Sequence, residues 1–562
     1  MRRSRAEKTG VPSLPRECTQ LALSPAETGD MTAKSASSLA FAALLANLAV
    51  VATGCGAFDG DSSSKRDPQN AREDAPAATT PGSAPTAPPV GGPAKTDELT
   101  DAFGIFVSPR GNDSAEGSHL RPLATIQAGI EAGKKVGKRV YVCSGTFHEA
   151  LTIANSISVI GGLDCTNDEW RVGGVRTRIE SPTSPAMRAA NITSATRIEG
   201  LEVLAPDATA TSGSSFALIA DHSSALVIAS SKLVAGNAKN GTDGTDGIQL
   251  ANSATADGTP ALTTGPCDFD TCTAGPGGWV STGLVPGGTN LCLGAPGHEA
   301  QPGGAGGSGG VYGIVNEVSA WYFRPYASNL ANVASVGITS RTSAVGGDGT
   351  NGTSAPALGS FSADGYIAAR GTAGSDGTNG LGGAGGSGTS PEVDVNPNGV
   401  AAQSAWRGPR GASGGAGGCA GLAGTPGEGG GASIAALLLE SAVRFEGSTL
   451  VSSKGGDAGR GAMGSLPTAG GQPNNSAVAS HPTLFGKAGG HGGAAGTSGN
   501  GSNGPSFGIA YVGAKPDVGG DTTVTAGTGG TAIDARSRIN AFGLTTSIPA
   551  TPAGLSRGVF AL

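Results

Sequence analysis

Arg139-Val140-Tyr141-Val142-Cys143, Leu151-Thr152-Ile153, Ile157-Ser158-Val159-Ile160, Arg178-Ile179-Glu180 and Ile198-Glu199-Gly200-Leu201-Glu202-Val203 follow one another with only Gly, Asn and Ser turns between them. Each segment is short and alternates apolar with polar residues, the period of a strand with one buried face. No helix of crossover length separates them. A strand of this kind cannot bury its apolar face alone, so stacking of one on the next is required. The expected class is all-β: a parallel β-helix, or solenoid, whose first part occupies residues 100–235. Cys143 and Cys165 are 22 residues apart, about one turn of such a stack. Strands lie about 4.8 Å apart, within the reach of a disulfide, so a Cys143–Cys165 bridge is expected.

Upstream, Phe103-Gly104-Ile105-Phe106-Val107-Ser108-Pro109 reads as another strand. Residues 122–134 carry Ile126 and Ile130 four apart behind Thr125, a candidate N-cap, which predicts a short helix. It would cap the open N-terminal end, where unpaired strand edges invite association.

The sequences Gly104-Ile105-Phe106-Val107-Ser108-Pro109, Pro122-Leu123-Ala124-Thr125-Ile126-Gln127-Ala128-Gly129-Ile130 and Val140 to Glu149 resemble the opening of pectin-lyase-like right-handed β-helix proteins. With Ile160-Gly161-Gly162-Leu163-Asp164-Cys165 and Ile198 to Val203, the likeness narrows to glycine-rich, PGRS-like bacterial surface lipoproteins. It covers about residues 101–250. It implies a right-handed helix with long glycine-rich insertions.

The start of the chain carries an address. Residues 1–30 are polar and patternless, and Met31 opens a better signal: Lys34, then the apolar run Leu39–Ala52. Its 14 residues are too short for a membrane span, which needs about 20, and suit a secretory signal. Met31 is the expected start, with residues 1–30 a mis-assigned extension. Ala52-Thr53-Gly54-Cys55 resembles a bacterial lipobox, which implies a signal over 31–55 and lipidation of Cys55. Residues 56–99, rich in Ala, Pro and Thr, read as a disordered linker. The expected location is the outer membrane, held by lipid. The cysteines beyond these, Cys143, Cys165, Cys267, Cys272, Cys292 and Cys419, are even in number and suit disulfides in an exported chain.

Downstream, the apolar unit Phe216-Ala217-Leu218-Ile219, Ser224-Ala225-Leu226-Val227-Ile228, Ser231-Lys232-Leu233-Val234 recurs as Ile434 to Leu437, Ser441 to Phe445 and Ser448 to Val451. The offset reads as a constant 217. Looser copies begin at Tyr312 and Phe507. Between the copies lie glycine-rich excursions, about 236–311, 346–432 and 454–505, with a remnant at 519–530. Of 98 glycines, 77 fall in residues 236–562, the part expected to continue the strand stack with excursions. Gly303 to Gly309, Gly382 to Gly388, and Gly408, Gly411, Gly414 and Gly417 repeat every three residues. That period fits either extended helices of the polyproline II kind packed side by side or a flexible tether.

This composition argues against a helical bundle, because glycine is costly in helices. A net charge of −7 argues against a nucleic-acid partner. Catalytic signatures of polysaccharide hydrolases are missing: Asn-Thr-Asp, Asp-Asp and Arg-Ile-Lys do not occur, and His491-Gly492 sits in a glycine tract without a carboxylate neighbour. Asp243, Asp246, Asp348, Asp376 and Asp457 recur beside glycine; turn formation explains them better than calcium. No metal, cofactor or catalytic residue is expected. Trp321, Tyr322, Phe323 and Tyr326 form the densest aromatic cluster and are candidate ligand contacts. The expected function is structural or adhesive, at a membrane reached by the lipid anchor, with cell-surface glycans or other envelope proteins as partners. The alternative is a polysaccharide-active enzyme or carbohydrate-binding module.

Overall fold

A computed structural model describes residue 92 and residues 95–562, apart from 167–168, 174, 541, 544, 477–483 and three longer stretches. Within those stretches (260–284, 307–342 and 389–410) only short strands are described. Cys55, the signal and nearly all of the linker lie outside the described residues.

Three mostly parallel sheets carry the apolar core. The first orders Gly104–Val107, Arg139–Cys143, Val159–Asp164, Thr196–Glu199, Leu226–Ala229, Arg444–Glu446 and Asp517–Val518, with Arg171–Val172 added antiparallel. The second orders Thr146–Phe147, Thr177–Glu180, Leu201–Leu204, Lys232–Val234, Thr449–Val451 and Thr523–Thr525. The third orders Leu151–Ile153, Met187–Ala190, Ser215–Asp221, Ser433–Leu439, Ser506–Val512 and Ser556–Ala561.

Register explains the alternation in the sequence. Ile105, Val140, Val159, Ile198, Ile228, Phe445 and Val518 stand in one column of the first sheet. Phe147, Ile179, Val203, Leu233, Leu450 and Val524 stand in one column of the second. Leu151, Met187, Leu218, Ala436 and Ile509 do so in the third. These residues form one core, with Val518 and Val524 partly buried at its end. Each fully buried Leu, Ile or Phe contributes roughly 1.5–3 kcal/mol. Outward positions pair charges instead: Glu202 receives Lys232 at 2.9 Å and Arg178 at 3.3 Å, and Arg197 reaches Glu199 at 2.6 Å and Glu446 at 2.8 Å. The turns are tied by hydroxyls: Leu201 N–H donates to Ser231, Ser231 N–H to Ser448, and Ser448 N–H to Thr522.

The α-helix runs Ile126–Val136, starting four residues later than the pattern predicts. Leu123 instead bridges Val107. Thr125 accepts from Ala128 N, and Gly137 closes the helix at φ 65°. The carboxylate of Glu149 accepts the Ile126 and Gln127 N–H groups, and Asp113 accepts those of Ala124 and Thr125. Ile126 and Ile130 pack into the core.

Four corrections follow. The expected all-β, right-handed parallel β-helix with glycine-rich insertions is not what is found. The strands make mostly parallel sheets with a single α-helix among the described residues, in a parallel α/β-type arrangement without a closed barrel or solenoid. Alternation marks which strand face is buried but not how the sheets associate, and the glycine-rich tracts bond to one another rather than serving as appended loops. Second, the repeat offset is not constant. Leu218 pairs with Ala436, 218 residues on, whereas Lys232 pairs with Thr449, 217 residues on. Third, the copy at Tyr312 does not join the three sheets; Val311–Tyr312 pairs antiparallel with Ala405–Arg407. Fourth, the glycine-flanked aspartates serve not as turn formers but as acceptors between tracts.

Candidate functional site: a glycine lattice with Asx-Gly clamps

The glycine tracts are packed. Residues 411–432 are nearly all buried and bond to several other tracts. Ala412, Gly415, Gly418, Gly421, Gly427 and Gly430 donate their N–H groups to the carbonyls of Leu484, Lys487, Gly490, Gly493, Gly499 and Ser502. Gly414 and Gly417, one step earlier in the triplet, donate to Gly304 and Gln301. Thr425, Glu428 and Gly431, at the third position, donate to Thr245, Thr242 and Lys239. A three-residue period is one turn of a polyproline II helix, so each triplet position faces its own neighbour.

Glycine at the contact positions is a steric requirement. A Cβ built on Gly303 would lie under 3.0 Å from the Gly414 carbonyl, and one on Gly415 would meet Gly471 in the same way. Neighbouring backbones can approach this closely only where no side chain intervenes.

The triplet positions that carry Asp or Asn supply the second kind of bond. Asn240 Oδ1 accepts Asp457 N–H at 2.8 Å, while Gly241 N–H donates to Asp457 C=O at 2.9 Å. Asp243-Gly244 grips Arg460 in this way, Asp257-Gly258 grips Gln472, Asp348-Gly349 grips Ala494 and Asn351-Gly352 grips Thr497. Between antiparallel tracts the two bonds land two residues apart. Asp376 accepts from Ala423 while Gly377 donates to Gly421, and Asn379 accepts from Ala420 while Gly380 donates to Gly418. Asn500-Gly501 and Asn503-Gly504 do the same with residues 459–461 and 456–458. A backbone N–H left over by the three-residue period is thus satisfied by a side chain, a requirement where the donor residue is buried, as at Gly461, Ala494 and Thr497. Burial pushes the Asp457 carboxyl up, but its bonds from Lys454 and Thr531 outweigh this and hold it below the usual range. Hydroxyls extend the scheme at an exposed edge, where Gly347, Thr350 and Thr353 N–H groups donate to Thr378, Ser375 and Thr372.

Two disulfides are present. Cys143, the last residue of Arg139–Cys143, is bridged to Cys165, the residue just past the adjacent strand Val159–Asp164, Cα–Cα 5.7 Å. Cys292 and Cys419, 127 residues apart with Cα–Cα 5.5 Å, tie an outer tract to the central one. Beside the latter, buried Asn290 donates to Asn252 and to the Gly417 carbonyl and accepts from Ser253 and Cys292. The Cys143–Cys165 bridge is the one expected from the 22-residue spacing; the Cys292–Cys419 pairing was not readable from spacing, and Cys272 lies outside the described residues.

Elsewhere a groove of about 770 Å³ opens beside the Cys143–Cys165 bridge. Its lining includes Arg110, His119, Asp164 and Trp170. His119 Nδ1 meets Asp101 at 2.7 Å, and its carbonyl accepts Trp170 Nε1–H at 3.1 Å. Trp170 packs edge-on against Phe106 and is buried. The side-chain and backbone bonds from Thr166 hold Asp164 below the usual carboxylate range. Asp164 contributes a carboxylate to the groove lining.

Of the candidate aromatics, Trp321 and Tyr322 lie on a strand, Ala320–Tyr322, paired antiparallel with Val315–Glu317. Phe323 and Tyr326 lie outside the described residues. No helix among the described residues is long and apolar enough to cross a membrane. No protein-family model, no curated protein and no solved structure matches the chain.

Proposed function

We propose that the chain is an exported surface protein, lipid-anchored through Cys55 in the outer membrane, with a structural or adhesive role toward cell-surface glycans or other envelope proteins. The observation that carries this reading is the glycine lattice. Its close-packed tracts spend glycines and Asx side chains on backbone bonds between tracts, which suits a stiff platform rather than a reaction centre. A wide surface of repeated units suits contact at many weak points at once. The groove at Trp170 favours a second reading, a carbohydrate-binding module, since it pairs an aromatic wall with Arg110 and Asp164.

The test uses the full chain in its producing cells, with and without Cys55→Ala. The reading expects palmitate incorporation that the variant loses, protease-accessible protein on intact cells, and loss of cell adhesion when the gene product is removed. Purified protein that cleaves a glycan, and ceases to do so on substitution of one carboxylate, overturns it. Glycan binding without turnover, abolished by Trp170→Ala and Arg110→Ala, favours the module.

A further inference from the structure

We infer that the Asn-Gly steps of the lattice are graded sites of succinimide modification, with Asn240 and Asn351 the labile ones and Asn500 and Asn503 locked while the lattice is closed. Asn-Gly is the dipeptide in which backbone attack on the side chain is least hindered, since glycine brings no Cβ. In that reaction the glycine nitrogen bonds to the asparagine Cγ and gives up its proton. Nδ2 leaves as ammonia, and water then opens the cyclic imide at one carbonyl or the other. The products are aspartate and isoaspartate.

The clamp opposes each step. The attacking nitrogen is turned outward: Gly241 N–H points to Asp457 C=O, and Gly352 N–H to Thr497 C=O at 2.7 Å. The electrophile is held away by its own acceptor bond, Asn240 to Asp457 N–H and Asn351 to Thr497 N–H at 2.9 Å. Attack therefore requires both bonds of a clamp to open.

What differs between sites is the leaving group and the water. Asn500 and Asn503 are buried, and their amides are also held: Asn500 Nδ2 donates to the Pro549 carbonyl and Thr551 Oγ1, and Asn503 Nδ2 to the Pro552 carbonyl. Asn379 is intermediate, its Nδ2 donating to the carbonyls of His298 and Glu299. Asn240 and Asn351 are exposed, and among the described residues their amides carry no such bond. The consequence is one-way. Isoaspartate adds a backbone atom, which moves the following triplets out of phase with the neighbours that each position must face. A tract that opens and converts cannot close again in register.

The test is ageing of the full-length protein at mildly alkaline pH, folded and in urea, with peptide mapping of isoaspartate at all five sites. In urea the five convert at similar rates. Folded, Asn240 and Asn351 convert first, and Asn500 and Asn503 are slowed at least about tenfold relative to urea, equivalent to about 1.4 kcal/mol of opening. Equal rates in folded and unfolded protein overturn the inference, as does folded Asn500 or Asn503 converting as fast as Asn240.

Discussion

Leu218 and Ala436 stand opposite each other on adjacent parallel strands of the third sheet, although 218 residues separate them in the chain. Among the described residues, none between Val234 and Ser433 joins the three sheets, and the chain re-enters at the next position in all three. Leu438→Ala, at a fully buried site in the same strand, is expected to destabilise the protein by about 2–5 kcal/mol. Urea unfolding followed by circular dichroism measures this; a loss within error of zero would place Leu438 outside the core.

Two glycine substitutions separate sterics from backbone entropy. Gly415→Ala places a Cβ against the Gly471 carbonyl, whereas at Gly347 the nearest atom is Thr378 Oγ1 at 3.5 Å. Gly415→Ala is expected to cost about 1–3 kcal/mol, as overpacking does. Gly347→Ala is expected to be neutral or to stabilise by up to about 1 kcal/mol, through the unfolded state. The pair of thermal midpoints decides it, and equal shifts would argue against close tract packing.

The Cys292–Cys419 bridge closes a loop across the glycine body, so its loss is expected to cost about 2–4 kcal/mol. Cys292→Ala with Cys419→Ala should raise amide exchange first in residues 285–306, which the bridge ties down, and leave Ser433–Leu439 protected. Peptide-resolved exchange reads both segments in one experiment.

Acid should weaken the fold through paired carboxylates. The Lys232 bond holds Glu202 below its ordinary range, with burial opposing, and Asp457 is also depressed. A depressed folded value means that the unfolded chain binds protons first. The stability from these groups is complete above the ordinary range, about 3.9–4.3, and is lost as pH falls through the folded values. Burial raises Glu149 instead; its contribution is present below the ordinary value and is lost as pH rises through the folded one. Glu202→Gln should therefore lower stability near neutrality by no more than about 1 kcal/mol, given partial exposure, and flatten the acid limb of a urea-midpoint titration. An unchanged acid limb would remove Glu202 from this account.

Much of the sheet architecture was legible because alternation marks buried faces: Ile179, Val203 and Leu233 are apolar, and their flanking residues are polar or half-buried. Thr125 announced the helix, though the bridge from Leu123 to Val107 delayed its start. The class was not legible, because strand alternation alone does not say what the glycine tracts do. Nor was the tract pairing. Gly-Thr-Asp and Gly-Thr-Asn triplets are alike, so any shift of three residues looks equally good locally, and register rests on Asx positions such as Asp243 against Arg460. Those Asx residues have turn-forming character in any isolated reading; only a neighbouring backbone reveals them as acceptors.

The most direct test of the packed lattice is amide hydrogen exchange resolved to residues 411–432 in the oxidised, full-length protein. The account predicts that Gly415, Gly418, Gly421 and Gly427, each bonded to the 484–502 tract, exchange as slowly as the amides of strand Ser433–Leu439. Exchange of these glycines at the rate of an unfolded chain, with the strand still protected, would contradict it.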